Sequence, residues 1–135
     1  MKRLKIILSL VCVFVCACFF FGCQKGTVKL NGDYLVIVAG EVEENLTLEE
    51  YMDRFQAEGK FSYEQSGGMV ISIDGKANDS DYNPCWMLYT SDAENSNAQW
   101  GSVEYEGKVY YSASLGMESL IVKSGETYIW WYQTF

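Results

Sequence analysis

The first twenty-three residues restrict where the rest of this chain can fold. Lys2, Arg3 and Lys5 form a basic head, and Ile6 to Phe21 is an apolar run broken only by Ser9. Gly22 and Cys23 end the run, and the chain turns polar at Gln24, Lys25 and Gly26. A positive head, a greasy middle and a small residue before a cut is the layout of an export signal. The remainder is then expected to fold outside the cytoplasm, as one small domain.

The Gly22-Cys23 pair resembles the lipobox of bacterial lipoproteins. That resemblance implies that residues 1–22 are a signal peptide and that the Cys23 thiol is acylated. Residues 23–32 are then a lipidated tether and residues 33–135 the domain, held on the extracytoplasmic face of the cell membrane. A diacylglyceryl group supplies two acyl chains, enough for stable anchoring. A cut before Cys18, using Val15-Cys16-Ala17 as the box, would leave Phe19, Phe20 and Phe21 exposed at the new N-terminus. A plain uncleaved anchor is the other arrangement, with Ile6 to Gly22 at the short end of what spans a bilayer.

Beyond the signal the chain carries seven basic side chains against eighteen acidic ones. Such a balance repels nucleic acid and anionic headgroups, so no nucleic-acid partner is expected. Histidine is absent. The commonest metal ligand and the commonest general base are therefore missing, and with them any Ser-His-Asp or Cys-His nucleophile. Cys85 is the one cysteine after Cys23, which leaves no pair for a disulfide within the domain. Cohesion must come from packing, for which the many Tyr and Trp side chains are suited.

Tyr34 to Ala39 reads as a strand, apolar and β-branched at its centre. Thr47 to Glu58 reads as the one helix. Thr47 and Glu50 have capping-box spacing, and Leu48, Tyr51, Met52 and Phe55 form one apolar stripe. Glu50 precedes Arg54 by four residues on the wet face, and Gly59 stands where a C-terminal cap belongs. Strands are expected at Met69–Ile73, Trp86–Thr90, Trp100–Tyr105, Val109–Ser112, Leu120–Val122 and Tyr128–Tyr132. Asp74-Gly75 and Glu106-Gly107 mark tight turns. Ser91 to Gln99 reads as a polar loop. The last strand is apolar on both faces, which predicts a central position or a cover from the helix on one side. The fold class is α+β: a small, mostly antiparallel sheet with one packed helix.

Four segments in this order carry a family likeness. They are the strand followed by the capped helix, Ile71-Ser72-Ile73-Asp74-Gly75-Lys76, Trp86-Met87-Leu88-Tyr89, and Lys123-Ser124-Gly125-Glu126-Thr127-Tyr128-Ile129-Trp130-Trp131-Tyr132. Together they resemble the transcobalamin-like C-terminal domain family, over roughly Asp33 to Phe135. That family occurs in exported and lipid-anchored bacterial proteins and as the smaller β-rich domain of the animal cobalamin carriers. The resemblance implies a ubiquitin-like, β-grasp-like arrangement. It also implies a non-catalytic module that captures cobalamin or a related corrinoid, with no cofactor otherwise required. A membrane transporter or a helical companion domain acting in trans is the implied protein partner.

Aromatic side chains are the candidate ligand contacts. Trp86, Tyr89, Trp100, Tyr110 and Tyr111 together offer a stacking surface for a flat molecule, with Tyr82 and Asn83 on its rim. Core packing is the competing role, and it is favoured for Trp86. One of Tyr110 and Tyr111 must point outward, because neighbours on a strand face opposite ways. Asp79-Ser80-Asp81-Tyr82-Asn83 starts like a calcium loop, but Pro84 replaces the required glycine and Thr90 the bidentate Glu, so no metal is expected. Cys85 reads as a buried small hydrophobe, since no neighbouring cation lowers its pKa. Asn45-Leu46-Thr47 fits a glycosylation acceptor, but Thr47 is needed as the cap. A carboxylate hydrolase would need paired acids, and no spacing marks a pair. A protein-interaction or adhesion domain with no small ligand is the alternative function.

Overall fold

The computed structural model describes residues 25–135. The proposed signal peptide, residues 1–22, and the lipid site Cys23 lie outside the described residues. Among the described residues nine strands and one α-helix follow in chain order: β1 (Thr27–Asn31), β2 (Tyr34–Val38), α1 (Leu48–Ala57), β3 (Tyr63–Ser66), β4 (Met69–Ile73), β5 (Lys76–Ala77), β6 (Cys85–Thr90), β7 (Ser96–Tyr105), β8 (Lys108–Ala113) and β9 (Thr127–Gln133). A single 3₁₀ turn, Ala93–Asn95, leads into β7. The larger sheet runs β1-β2-β9-β6-β8-β7, and β3, β4 and β5 form a second, smaller sheet. Every strand pairing is antiparallel. The α+β class with one helix is the observed architecture, and β9 is central, between β2 and β6.

Helix α1 begins where its cap requires. The Glu50 N–H donates to the Thr47 hydroxyl at 3.2 Å, and the Thr47 N–H donates to the Glu50 carboxylate at 3.4 Å. Its buried side chains are Leu48, Tyr51, Met52 and Phe55, the stripe expected from the 3.6-residue period. They pack on the sheet face that carries Leu35, Ile37, Trp86, Leu88, Tyr128 and Trp130. Arg54 does not pair with Glu50 as the helix spacing suggested. It bonds Glu43 in the preceding loop instead, which draws that loop onto the helix.

The opposite face of the sheet is covered by its own end. In a flat sheet β2 and β7 would lie about 19 Å apart, four strand spacings. Instead the rings of Tyr34 and Tyr105 are 5.3 Å apart, and Lys29 pairs with Glu106 at 3.5 Å. The β7–β8 hairpin therefore curls back across the face that carries Val36, Tyr89 and Ile129. The crossing leaves β8 paired with β6 at only two positions, Tyr89 with Ser112 and Thr90 with Tyr111. The hairpin turn is built from Glu106 and Gly107, with φ of 49° and 76°. Two successive left-handed residues make the type I′ turn that matches strand twist.

Three parts of the chain depart from the sequence expectations. Residues 27–31 are not tether: they pair with β2 in continuous register from Thr27–Val38 to Asn31–Tyr34. Val28 packs against the core from there, so the folded body starts near residue 26 rather than 33. The polar stretch Ser91–Gln99 is not all loop, because β7 starts at Ser96. Leu120–Val122 is no strand. It contributes one bridge, Ile121 to Thr47, and anchors the helix start through Leu48 N–H to the Leu120 carbonyl at 2.8 Å.

Candidate binding surface

The seven candidate aromatic and rim residues do not form one platform. Trp86 is 1% exposed. Its indole N–H donates to the Lys76 carbonyl at 2.7 Å, and its ring packs 5.0 Å from Tyr132. Tyr89 and Tyr110 are buried between the sheet and the curled hairpin, and the Tyr89 hydroxyl bonds Gln133. These three rings are core side chains. That corrects their assignment as ligand contacts. The physical reasons are long-range: the curled hairpin roofs Tyr89 and Tyr110, while Trp86 lies on the opposite face, in the core packed by α1.

Trp100 and Tyr111 are the outward members, 62% and 42% exposed. The alternation expected at Tyr110–Tyr111 holds, with Tyr111 facing away from the core. β7 slips register against β8 between Asn97 and Ser102, so Ala98 to Gly101 loop out from the edge strand. Trp100 sits on that excursion, and Gly101 takes a φ of 121° that a side chain would strain. Tyr111 and Val109 line a shallow groove of about 320 Å³ with Thr90, Ser91, Ser96 and Lys108. Val109, two residues from Tyr111 and on the same face, was not singled out from sequence, although its period-2 spacing was the available signal.

Tyr82 and Asn83 lie at the other end of the sheet, before β6. Tyr82 is exposed, with a φ of 57°. The Asn83 amide is already engaged: its Nδ2 donates to the Phe135 carbonyl at 3.1 Å and its Oδ1 accepts from the Phe135 N–H at 2.9 Å. Strand β6 separates this loop from the groove at Thr90, so the two rims cannot share one small ligand plane. The Asp79–Asn83 segment closes on itself as a turn, with the Tyr82 N–H donating to the Asp79 carbonyl at 2.9 Å. Among the described residues no group of three His, Cys, Asp or Glu side chains is placed to hold a metal ion.

The groove is flanked by one strong polar pin. Asp92 is buried and accepts from the Glu94 N–H, from Asn95 Nδ2 and from Lys123 Nζ at 3.1, 2.8 and 2.9 Å. Burial pushes its carboxyl up, but the donors from Asn95, Lys123 and Glu94 together outweigh burial and hold it below the usual range. The pin ties the loop after β6 to the loop before β9 and so fixes one wall of the groove. Burial pushes the Cys85 thiol up, which makes it unreactive as well as enclosed. Among the described residues no helix is long and apolar enough to cross a membrane. No protein-family model, curated protein or solved structure matches this chain.

Proposed function

We propose that this chain is a lipid-anchored, extracytoplasmic, non-catalytic binding module of the transcobalamin-like kind. Cys23 carries the lipid, and the domain captures a flat small molecule, cobalamin or a related corrinoid, on the outer surface of the β7–β8 hairpin. The observation that carries this reading is the exposed Tyr111 in a groove with an apolar wall at Val109, with Trp100 exposed on the same hairpin. Large exposed rings supply stacking area, and the Ser96 hydroxyl and the Lys108 ammonium on the groove supply polar contacts for a ligand's periphery. With no histidine in the chain, a bound cobalt receives no imidazole from this protein. A ubiquitin-like, β-grasp-like arrangement is part of the same proposal. The passage from hairpin β1–β2 straight into a helix across the sheet supports it. A transporter or a helical companion in trans would complete the site.

The test is a titration of the full-length protein in detergent with cobalamin, followed by tryptophan fluorescence and corrected for ligand absorbance. Saturable quenching that disappears in Trp100→Ala, with unchanged thermal stability, is the expected result. No saturation up to high micromolar ligand would overturn it. The alternative, an adhesion or protein-interaction domain, is favoured by one feature: β1 and β7 stand at the edges of the larger sheet and present backbone groups for strand pairing.

A further inference from the structure

We propose that the end of the domain formed by the start of β1, the end of β2 and the outer face of α1 rests on the lipid bilayer, with the Asp79–Asn83 loop pointing away from it. This inference rests on the lipoprotein reading and adds an orientation to it. The described chain begins at Lys25, on the rim of a groove of about 230 Å³ lined also by Glu41, Val42, Tyr51, Arg54 and Phe55. Gly26 is pinned at that point. A Cβ built there would stand 2.1 Å from the Tyr51 hydroxyl oxygen and 2.5 Å from the Val38 carbonyl oxygen. The Tyr51 hydroxyl in turn accepts from the Gly40 N–H at 3.3 Å.

In sequence only Gln24 and Lys25 separate Cys23 from this fixed point. Three residue steps from Cys23 to Gly26 span about 10 Å at most. An acyl group on Cys23 cannot reach the bilayer unless this end of the domain lies against it. The charges here suit a neutral surface, because the two cations are already paired, Lys25 with Glu58 and Arg54 with Glu43, and Glu41 leaves the end net negative. The strand register carries the end across the sheet: Thr27 sits opposite Val38, Val38 opposite Thr127, and Thr90 opposite both Tyr128 and Tyr111. The Tyr111 groove thus shares the bilayer end, while Cys85 and Gln133 mark the far end, about 20 Å away along seven-residue β9. A ligand held at Tyr111 would face the membrane, where a transporter could take it.

The experiment uses the full-length protein, purified from membranes and reconstituted in phosphatidylcholine vesicles. Two exposed positions, Glu41→Cys and Asp81→Cys, are labelled with an environment-sensitive fluorophore and quenched by nitroxide-labelled lipid. Quenching at least twofold stronger at position 41 than at 81 is expected. A Gly-Ser insert of about twelve residues after Lys25, adding roughly 20 Å of reach, should erase the difference. Equal or reversed quenching in vesicle-bound protein would overturn the orientation and leave the lipid anchor standing. So would a difference that survives the insert, or sedimentation as a dimer that covers position 41. An intact mass without a diacylglyceryl group at Cys23, together with failure to float with vesicles, would remove the anchor itself and the orientation with it.

Discussion

At Gly26 one hydrogen atom decides whether the chain can enter the first strand in the observed direction. Gly26→Ala would force a carbon against a backbone oxygen as well as a movable hydroxyl, so about 1–3 kcal/mol of stability should be lost. Adding Tyr51→Phe should recover only part of it, since the Val38 carbonyl stays in the way. Urea denaturation of both variants checks this, and full recovery would show that the hydroxyl was the whole obstacle. Asp92 makes the second argument at this scale. Its folded carboxyl titrates below the usual range, so as pH falls the unfolded chain takes up a proton first. The stability it adds is complete above about pH 4, the ordinary Asp range, and is lost as pH falls through the lower folded value. Asp92→Asn should therefore cost about 1–3 kcal/mol at neutral pH, with a gap to the parent that narrows below pH 4. An unchanged gap at pH 3 would show that shape rather than charge sets the cost.

Single elements differ in how much of their stability is local. Helix α1 has ten residues, too few to persist alone, and depends on its cap and its apolar stripe. Thr47→Ala should cost about 1 kcal/mol, read as a lower melting temperature. The neighbouring bridge to Ile121 is made by backbone groups and should survive, so the loss reads the cap alone. At the hairpin turn Glu106 is held at a φ of 49°, where Asn is better tolerated. Glu106→Asn should raise stability slightly, since the Lys29 pair it breaks is exposed and weak. A fall in melting temperature would mean that the pair matters to the curl. The elements with strong local signals were legible in the sequence: the capped helix, the two-residue turns, and the apolar β6 and β9. β1, β3 and β5 were not. Their sequences TVKLN, YEQS and KA are polar or very short, and they are strands because neighbours supply hydrogen bonds. The site was half legible for a similar reason. Period-2 alternation separated Tyr110 from Tyr111, and the polar loop before Trp100 marked it as a surface candidate, but the curl that buries Tyr89 is long-range and leaves no local mark.

Across the whole molecule, charge is the term that packing does not answer. The chain after Cys23 carries eleven more acidic than basic side chains. Ion pairs engage Lys25, Lys29, Arg54, Lys76 and Lys123, which leaves most carboxylates facing one another through solvent. A body of this size has a radius of gyration near 13 Å. At about 10 mM salt the screening length is roughly 30 Å, so every surplus charge repels every other, whereas at about 0.1 M it is roughly 10 Å and only neighbours interact. The compact state holds these charges closer than the unfolded chain does, and repulsion acts against folding. Melting temperature at pH 7 should therefore rise as sodium chloride increases over that range. The rise should flatten near pH 4, where protonation removes much of the surplus. The exposed ion pairs pull the other way, because salt weakens them too, but each is worth well under 1 kcal/mol and they are few. A melting temperature that falls with salt at pH 7 would reverse that balance and mark the pair network, Lys123 with Asp92 and Glu94 above all, as the dominant electrostatic contribution to the fold.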